Sequence, residues 1–178
     1  MPSSDLDAID RHILEALQGD GRLSVVELAD KVGLSPSPCL RRVKRLEAEG
    51  HIAGYRASLS RERIGLGLTV FVGVKVDGHR DENATALQLA IKAMPEVVSA
   101  HLVSGEADFL LEVVVPDLKH YEEFLVGQLL KLPMIKDIRS NFAIRTVKLD
   151  AALPLGHLAP PAPARKEARK PAKSARRR

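Results

Sequence analysis

The sequence predicts an α+β fold in two parts: an N-terminal three-helix helix-turn-helix domain, then a βαββαβ ferredoxin-like plait, followed by a disordered basic tail. Three observations carry this expectation. Apolar residues recur at three- and four-residue steps through roughly the first fifty positions, and the step changes to two near residue 68. From there, alternating and helical stretches follow in the order β-α-β-β-α-β, which suits a four-stranded antiparallel sheet with both helices on one face. Charge is also unevenly spread: of 27 Lys and Arg, eight fall in residues 159–178 beside one acid, Glu167. That tail therefore carries +7 and the rest of the chain −3. Like charges with Pro and Ala and no aromatic build no core, so the tail is expected to be disordered. It serves either as a solubilising appendage or as a weak, sequence-independent contact to nucleic acid. The expected division is a helical domain over 1–60, a linker over 61–67, a plait over 68–156 and a tail over 157–178.

The elements follow in order. In "LDAIDRHILEALQGDG", Leu6, Ile9, Ile13, Leu14 and Leu17 form a helical stripe that Gly19 and Gly21 end. Ser24 and Glu27 have capping-box spacing for a short second helix that stops at Gly33. After a tight turn, "LSPSPCLRRVKRLEAEG" reads as a third helix over 36–49, and "HIAGYRASL" as a short extended segment. Val70, Val72, Val74 and Val76 share one strand face. Residues 81–94 return to helix with Ala84, Leu87, Ile91 and Met94 inward, closed by Pro95. "VVSAHLVS" and "FLLEVVV", separated by "GEAD", read as a hairpin. Asp117 caps a helix with Leu118, Tyr121, Leu125 and Leu129 inward, and "IKDIRSNFAIRTVKL" reads as a long last strand.

Composition excludes several classes. A lone Cys39 permits neither an internal disulfide framework nor a cysteine-cluster zinc site. No apolar run is long enough for a membrane helix and the N-terminus lacks a signal-peptide pattern, so a soluble cytoplasmic protein with no membrane partner is expected. The six histidines include no pair at helical metal spacing, and no HExxH, GxGxxG or P-loop pattern occurs. Glu122 and Glu123 are adjacent on a helix and diverge. No enzyme, no metal and no cofactor are expected.

The third helix carries the chemistry. Prolines are harmless in a first turn, where backbone N–H groups lack intrahelical acceptors. Ser35 is then the N-cap, with its hydroxyl expected to reach Ser37, and Pro36 and Pro38 lie in the first turn. At 100° per residue Cys39, Leu40, Val43 and Leu46 gather on the core side. Ser37, Pro38, Arg41 and Arg45 point away, with Arg42 and Lys44 on the flanks. Small side chains at the tip and a cationic belt behind suit a major groove, with Arg41 reaching a guanine bidentately and the flanking cations neutralising phosphates. The bland reading, a solvated basic face, is weakened by the two short helices and tight turn that precede it. Double-stranded DNA is the expected partner, through Ser35, Ser37, Pro38, Arg41, Arg42, Lys44 and Arg45.

"LDAIDRHILEAL", "GRLSVVELADKVGLSPSPCLRRVKRLEAEGHIAGY" and "HLVSGEADFLLEVVVPDLKHYEEFL" resemble the Lrp/AsnC, or feast/famine, transcriptional regulators over about residues 5–156. The resemblance implies a winged-helix-like DNA reader and a plait that binds a small effector, often an amino acid. It further implies plaits paired through their sheets into homodimers, assembling into tetramers, octamers or larger, with effectors lodged between dimers. The effector turn falls on Ser104, Gly105, Glu106, Ala107 and Asp108, and the family's hydroxyl position on the last strand falls on Ser140. Gly105 suits a positive φ and Asp108 an ammonium partner, although a plain hairpin turn is the commoner use of both. A second reading is a nucleoid-type architectural protein that wraps DNA with low sequence specificity.

Overall fold

The computed structural model describes residues 6–77 and 81–158. The basic stretch 159–178 lies outside the described residues. The chain forms two compact units, one from the chain up to residue 56 together with the stretch from 150, the other from residues 57–149.

The first unit is built on α1 (Ala8–Gly19), α2 (Val25–Val32) and α3 (Pro36–Ala48). A capping box opens α1: the Asp10 N–H donates to Asp7 Oδ1 at 2.8 Å, and the Asp7 N–H donates to Asp10 Oδ2 at 3.2 Å. An aspartate at the third helical position, rather than the usual glutamate, hides this box in the sequence. Ser24 and Glu27 form the box expected for α2. Gly33 ends α2 at φ 71°, and the Leu34 N–H turns back onto the Ala29 carbonyl at 2.9 Å. That left-handed residue makes the two-helix turn tight enough to bring α3 across α2. Ile13, Leu28, Ala29, Cys39, Val43 and Leu46 form the core.

Two expectations for α3 are corrected. Ser35 is the N-cap residue but makes no side-chain capping bond; the prolines fix the helix start without it. Leu40 is 38% exposed rather than inward, because it lies about 100° round the helix from Cys39. The segment 53–60 has no ladder hydrogen bonds, so among the described residues no wing forms as a strand pair.

In the second unit β1 (Leu68–Val76), β2 (Val97–Leu102), β3 (Phe109–Val115) and β4 (Ile135–Phe142) form one sheet in the order β2-β3-β1-β4, every pair antiparallel. Helices α4 (Asp81–Lys92) and α5 (Leu118–Gly127) pack on one face through Leu87, Ile91, Tyr121 and Phe124, against Val70, Val72, Val74, Phe109, Leu111, Val113 and Val115. This is the expected plait. On α5 the inward stripe is Tyr121, Phe124 and Leu125; Leu118, at the opening turn and the stripe's margin, is 63% exposed.

The last strand ends at Phe142, not near residue 149. Its partner β1 begins at Leu68, and the Ala143 N–H to the Thr69 carbonyl is the last rung available. Beyond it Ile144 and Val147 are fully or nearly fully exposed. Two segments group differently from the sequence division. Residues 61–65 form a turn whose Arg61 donates to Glu112 at 2.8 Å, tying the expected linker to the sheet unit. Leu153 exchanges two hydrogen bonds with the Gln18 amide, at 2.6 and 3.3 Å, so the chain after residue 150 returns to the helical unit.

Asp10 is the one buried charged residue among the described residues, at 0% exposure. Its carboxylate accepts from Arg42 at 2.8 Å and from Arg45 at 2.5 Å. Removing one partner of a buried ion network costs about 3–5 kcal/mol, whereas an exposed, unpaired cation contributes within about 0.5 kcal/mol. Asp10→Ala is therefore expected to shift the urea midpoint of the helical unit sharply, with Arg41→Ala leaving it in place. Equal, small shifts for the two variants would show that the network does not hold α3.

Candidate functional site

Residues of α3 divide into two sets. Arg42 and Arg45, three apart, lie on the flank that meets α1. Arg42 reaches both Asp7, at 2.7 Å, and Asp10, while Arg45 takes the other Asp10 oxygen. The expectation that Arg45 points outward with Arg41 is thus corrected, because a buried carboxylate on the neighbouring helix attracts it. Arg41 and Lys44 are exposed and have no side-chain partner among the described residues. Ser35, Ser37 and, in part, Pro38 are open to solvent at the N-terminal end of the same helix. The structure thus brings Ser35, Ser37, Pro38, Arg41 and Lys44 to one accessible surface, with Arg42 and Arg45 half-buried on the flank against α1.

The electrostatics follow the same division. The Asp7 carboxyl is held below its ordinary range, chiefly by the Asp10 N–H it accepts, against the opposing effect of burial, and then by Arg42. Hydrogen bonds to Asp10 first and Asp7 second raise the Arg42 pKa. A depressed carboxylate stabilises the fold fully above its unfolded pKa, near 4, and that contribution disappears as pH falls through the lowered value. Cys39 is buried and its thiol is pushed up by that burial, which makes it an inert core residue.

The hairpin between β2 and β3 is anchored at its base. Asp108 Oδ2 accepts the Val76 N–H at 2.8 Å, the Asp108 N–H donates to the Val74 carbonyl at 3.0 Å, and the Asp108 carbonyl accepts the Val103 N–H at 2.9 Å. Asp108 therefore staples the turn to β1, with its Oδ2 engaged by the Val76 N–H. Gly105 adopts φ 132°, which its missing side chain permits. Ala107 lies over Gly73 of β1, where an added Cβ would come within 3.3 Å of the Ala107 Cβ. Glu106 pairs with Arg139 of β4. Gly73 and Arg139 face each other in the β1–β4 register, on the sheet face away from the helices. Neither was singled out in the sequence, because only the register shows that they lie beneath the turn.

Ser140 is on the opposite face. It pairs in register with inward Val72, and its hydroxyl hydrogen-bonds the Tyr121 phenol at 2.5 Å. Burial pushes the phenol pKa up, while the Ser140 hydrogen bond opposes the shift. Phe142 packs edge-on against the same ring, with centroids 5.4 Å apart. Ser140 also lines an open groove of about 380 Å³ with Leu125, Leu130, Ile135 and Ile138. Within one chain, then, residues 104–108 converge with Gly73 and Arg139, and Ser140 does not join them.

A helix presenting free cations, joined by chain to a plait with an anchored turn, defines a two-part class: a helix-turn-helix reader with a separate sensor-type domain. Comparison with known proteins gives the same division. Residues 6–47 match the AsnC-type helix-turn-helix domain, and residues 69–153 match the Lrp/AsnC ligand binding domain. The leucine-responsive regulatory protein of Escherichia coli (strain K12) is 44% identical over 147 residues, covering 83% of this chain and 90% of that one. A transcriptional regulator from Neisseria meningitidis, solved in complex with L-Met, superposes with a TM-score of 0.83 at 38% identity, over 86% of this chain and 99% of that one. An AsnC family regulator from Agrobacterium tumefaciens gives a TM-score of 0.82, also at 38% identity, over 86% of this chain and all of that one. The chain belongs to the Lrp/AsnC family of transcriptional regulators. It is a regulator with a ligand-binding domain, not an enzyme.

Asp108→Ala removes the acceptor of a partly buried backbone N–H, which costs about 1–3 kcal/mol. Amide exchange is expected to rise at Val76 and through residues 103–108, while the β1–β3 ladder stays protected. Unchanged exchange at Val76 would remove the anchoring role.

Proposed function

We propose that this regulator reads DNA through two copies of α3 placed in successive major grooves, about one helical turn or a multiple apart, and that an amino acid bound at the plait biases the DNA geometries it fits. The observation that carries the DNA reading is the division within α3: two cations locked onto Asp7 and Asp10, and two free cations, Arg41 and Lys44, beside small exposed residues. A guanidinium with no internal partner is available to bind a guanine edge bidentately. Lys44 meets backbone phosphate, and Ser35, Ser37 and Pro38 let the helix tip approach the bases. Arg42 and Arg45 act from behind by fixing the helix's direction. A DNA partner makes the cytoplasm the working location.

Support for an amino-acid effector comes from the ligand-binding domain match and from the L-Met complex of the Neisseria relative. Residues 104–108, with their anchored base and exposed tip, are the proposed contact, and Ser140 contributes only if a second chain brings its face to the turn. Homodimers form through the open sheet face, where Phe71 and Leu110 are 40% and 36% exposed, and dimers assemble further into tetramers, octamers or larger. An architectural, weakly specific mode is favoured only by the +7 charge of residues 159–178.

A footprinting titration on the protein's own upstream DNA, across salt concentrations and with and without pooled amino acids, separates the two. Phased protection that one amino acid alters is expected. Under the same conditions Arg41→Ala should lose about 1–3 kcal/mol on the specific site and little on random DNA, while Lys44→Ala weakens both alike. Uniform, steeply salt-dependent binding that ignores every amino acid would establish the architectural mode instead.

A further inference from the structure

After the last strand the chain is tied back to the helical unit. Gln18, near the end of α1, accepts the Leu153 N–H through Oε1 at 2.6 Å and donates from Nε2 to the Leu153 carbonyl at 3.3 Å. Both backbone groups of one residue thus meet one side-chain amide, as they would meet a neighbouring strand. Pro154 favours this pairing, because the residue before a proline is held extended, and an extended residue turns its N–H and C=O to the same side. The chain then closes a single turn over Gly156–Leu158, with the Leu158 N–H on the Leu155 carbonyl at 3.0 Å and both leucines half-buried. The return is not imposed by the sheet, whose last rung is made at Ala143, ten residues before Leu153.

What the tie delivers is charge. Residues 159–178 hold eight Lys and Arg against Glu167, a net +7, and the cationic run starts at Arg165. Arg165 is twelve residues past Leu153, so it lies within about 40 Å of the tie; counted from Ala143 the limit is about 75 Å. Gln18 lies eight residues beyond Asp10, about 12 Å along α1 from the carboxylate that holds α3. The tie therefore roots the run on the unit that presents Arg41 and Lys44. The rest of the chain carries only −3, whereas duplex DNA carries one negative charge per about 1.7 Å, so DNA is the run's stronger partner. We propose that the Gln18–Leu153 tie makes residues 159–178 a second DNA contact of the same reader, gripping phosphates that flank the base pairs under α3. Rooted close together, the two contacts act on one duplex, and the second binds at the effective concentration set by the short connection. The run then adds affinity beside the site that α3 reads, rather than binding DNA at random. This inference rests on the reading of α3 as the DNA-binding helix.

The test compares the intact chain, a chain ending at Leu158, Gln18→Ala, and both changes together, each footprinted and titrated on the protein's own upstream DNA across salt concentrations. Removing residues 159–178 should weaken specific binding at least about tenfold at physiological salt and lower the slope of log affinity against log salt by up to about 6. It should also strip protection from the flanks and keep it under α3. Gln18→Ala should weaken the intact chain about three- to tenfold and leave the shortened chain within about twofold, because no run is then left to hold. Gln18 is exposed, and the thermal midpoint of each variant checks the fold. Equal affinity and slope with and without residues 159–178 would overturn the inference, as would an equal loss from Gln18→Ala in both chains or no loss in either. Tighter binding by the shortened chain would also overturn it, and would show the run masking the reader instead. Phased protection by none of the four proteins would overturn the reading of α3 itself.

Discussion

A carboxylate with no exposure to water has to be neutralised where it lies, and Asp10 is neutralised by two arginines from another helix. That constraint organises the helical unit. Asp10 also closes the capping box with Asp7, so the start of α1 and the direction of α3 depend on one side chain. The geometry leaves little freedom: Arg42 and Arg45 are three residues apart, and only one rotation of α3 brings both to α1. The same rotation turns Arg41 and Lys44 outward. The holding thus uses alternate members of one cationic run and leaves Arg41 and Lys44 free for the groove contacts proposed above.

The sheet unit solves a different problem. The tip of its hairpin, residues 104–106, is exposed and has to be held in place over the sheet. Asp108 does this by bonding to β1 through its carboxylate and its N–H, and across the turn's base to Val103 through its carbonyl. Openness is then confined to the exposed tip. Gly73 permits the turn to lie close over the sheet, and Arg139 is brought beneath it by register rather than by sequence proximity.

Much of the architecture was legible in the chain because it is local. The step of apolar residues, the Ser24–Glu27 box, the left-handed Gly33 and the two prolines of α3 each act within a few residues, and the plait's order follows from the change in period. What stayed hidden depends on contacts across the chain. Helical geometry alone places Arg45 outward near Arg41; a partner 35 residues earlier decides otherwise. Ile144 and Val147 extend the last strand's alternation past its true end, and only the end of β1 stops it. The turn at 104–108 came from a resemblance, and the role of Asp108 within it from distances. Ser140 lies where expected in the strand, and only the packing shows its hydroxyl held by Tyr121 on the other face of the sheet.

The most direct measurement is a structure of the full chain bound to DNA carrying its own operator. Arg41 is expected on a base edge and Lys44 on phosphate, with Arg42 and Arg45 still paired to Asp10 as they are without DNA. Guanidinium groups of Arg42 and Arg45 found on phosphates, with Asp10 left alone or α3 rotated to release them, would contradict it.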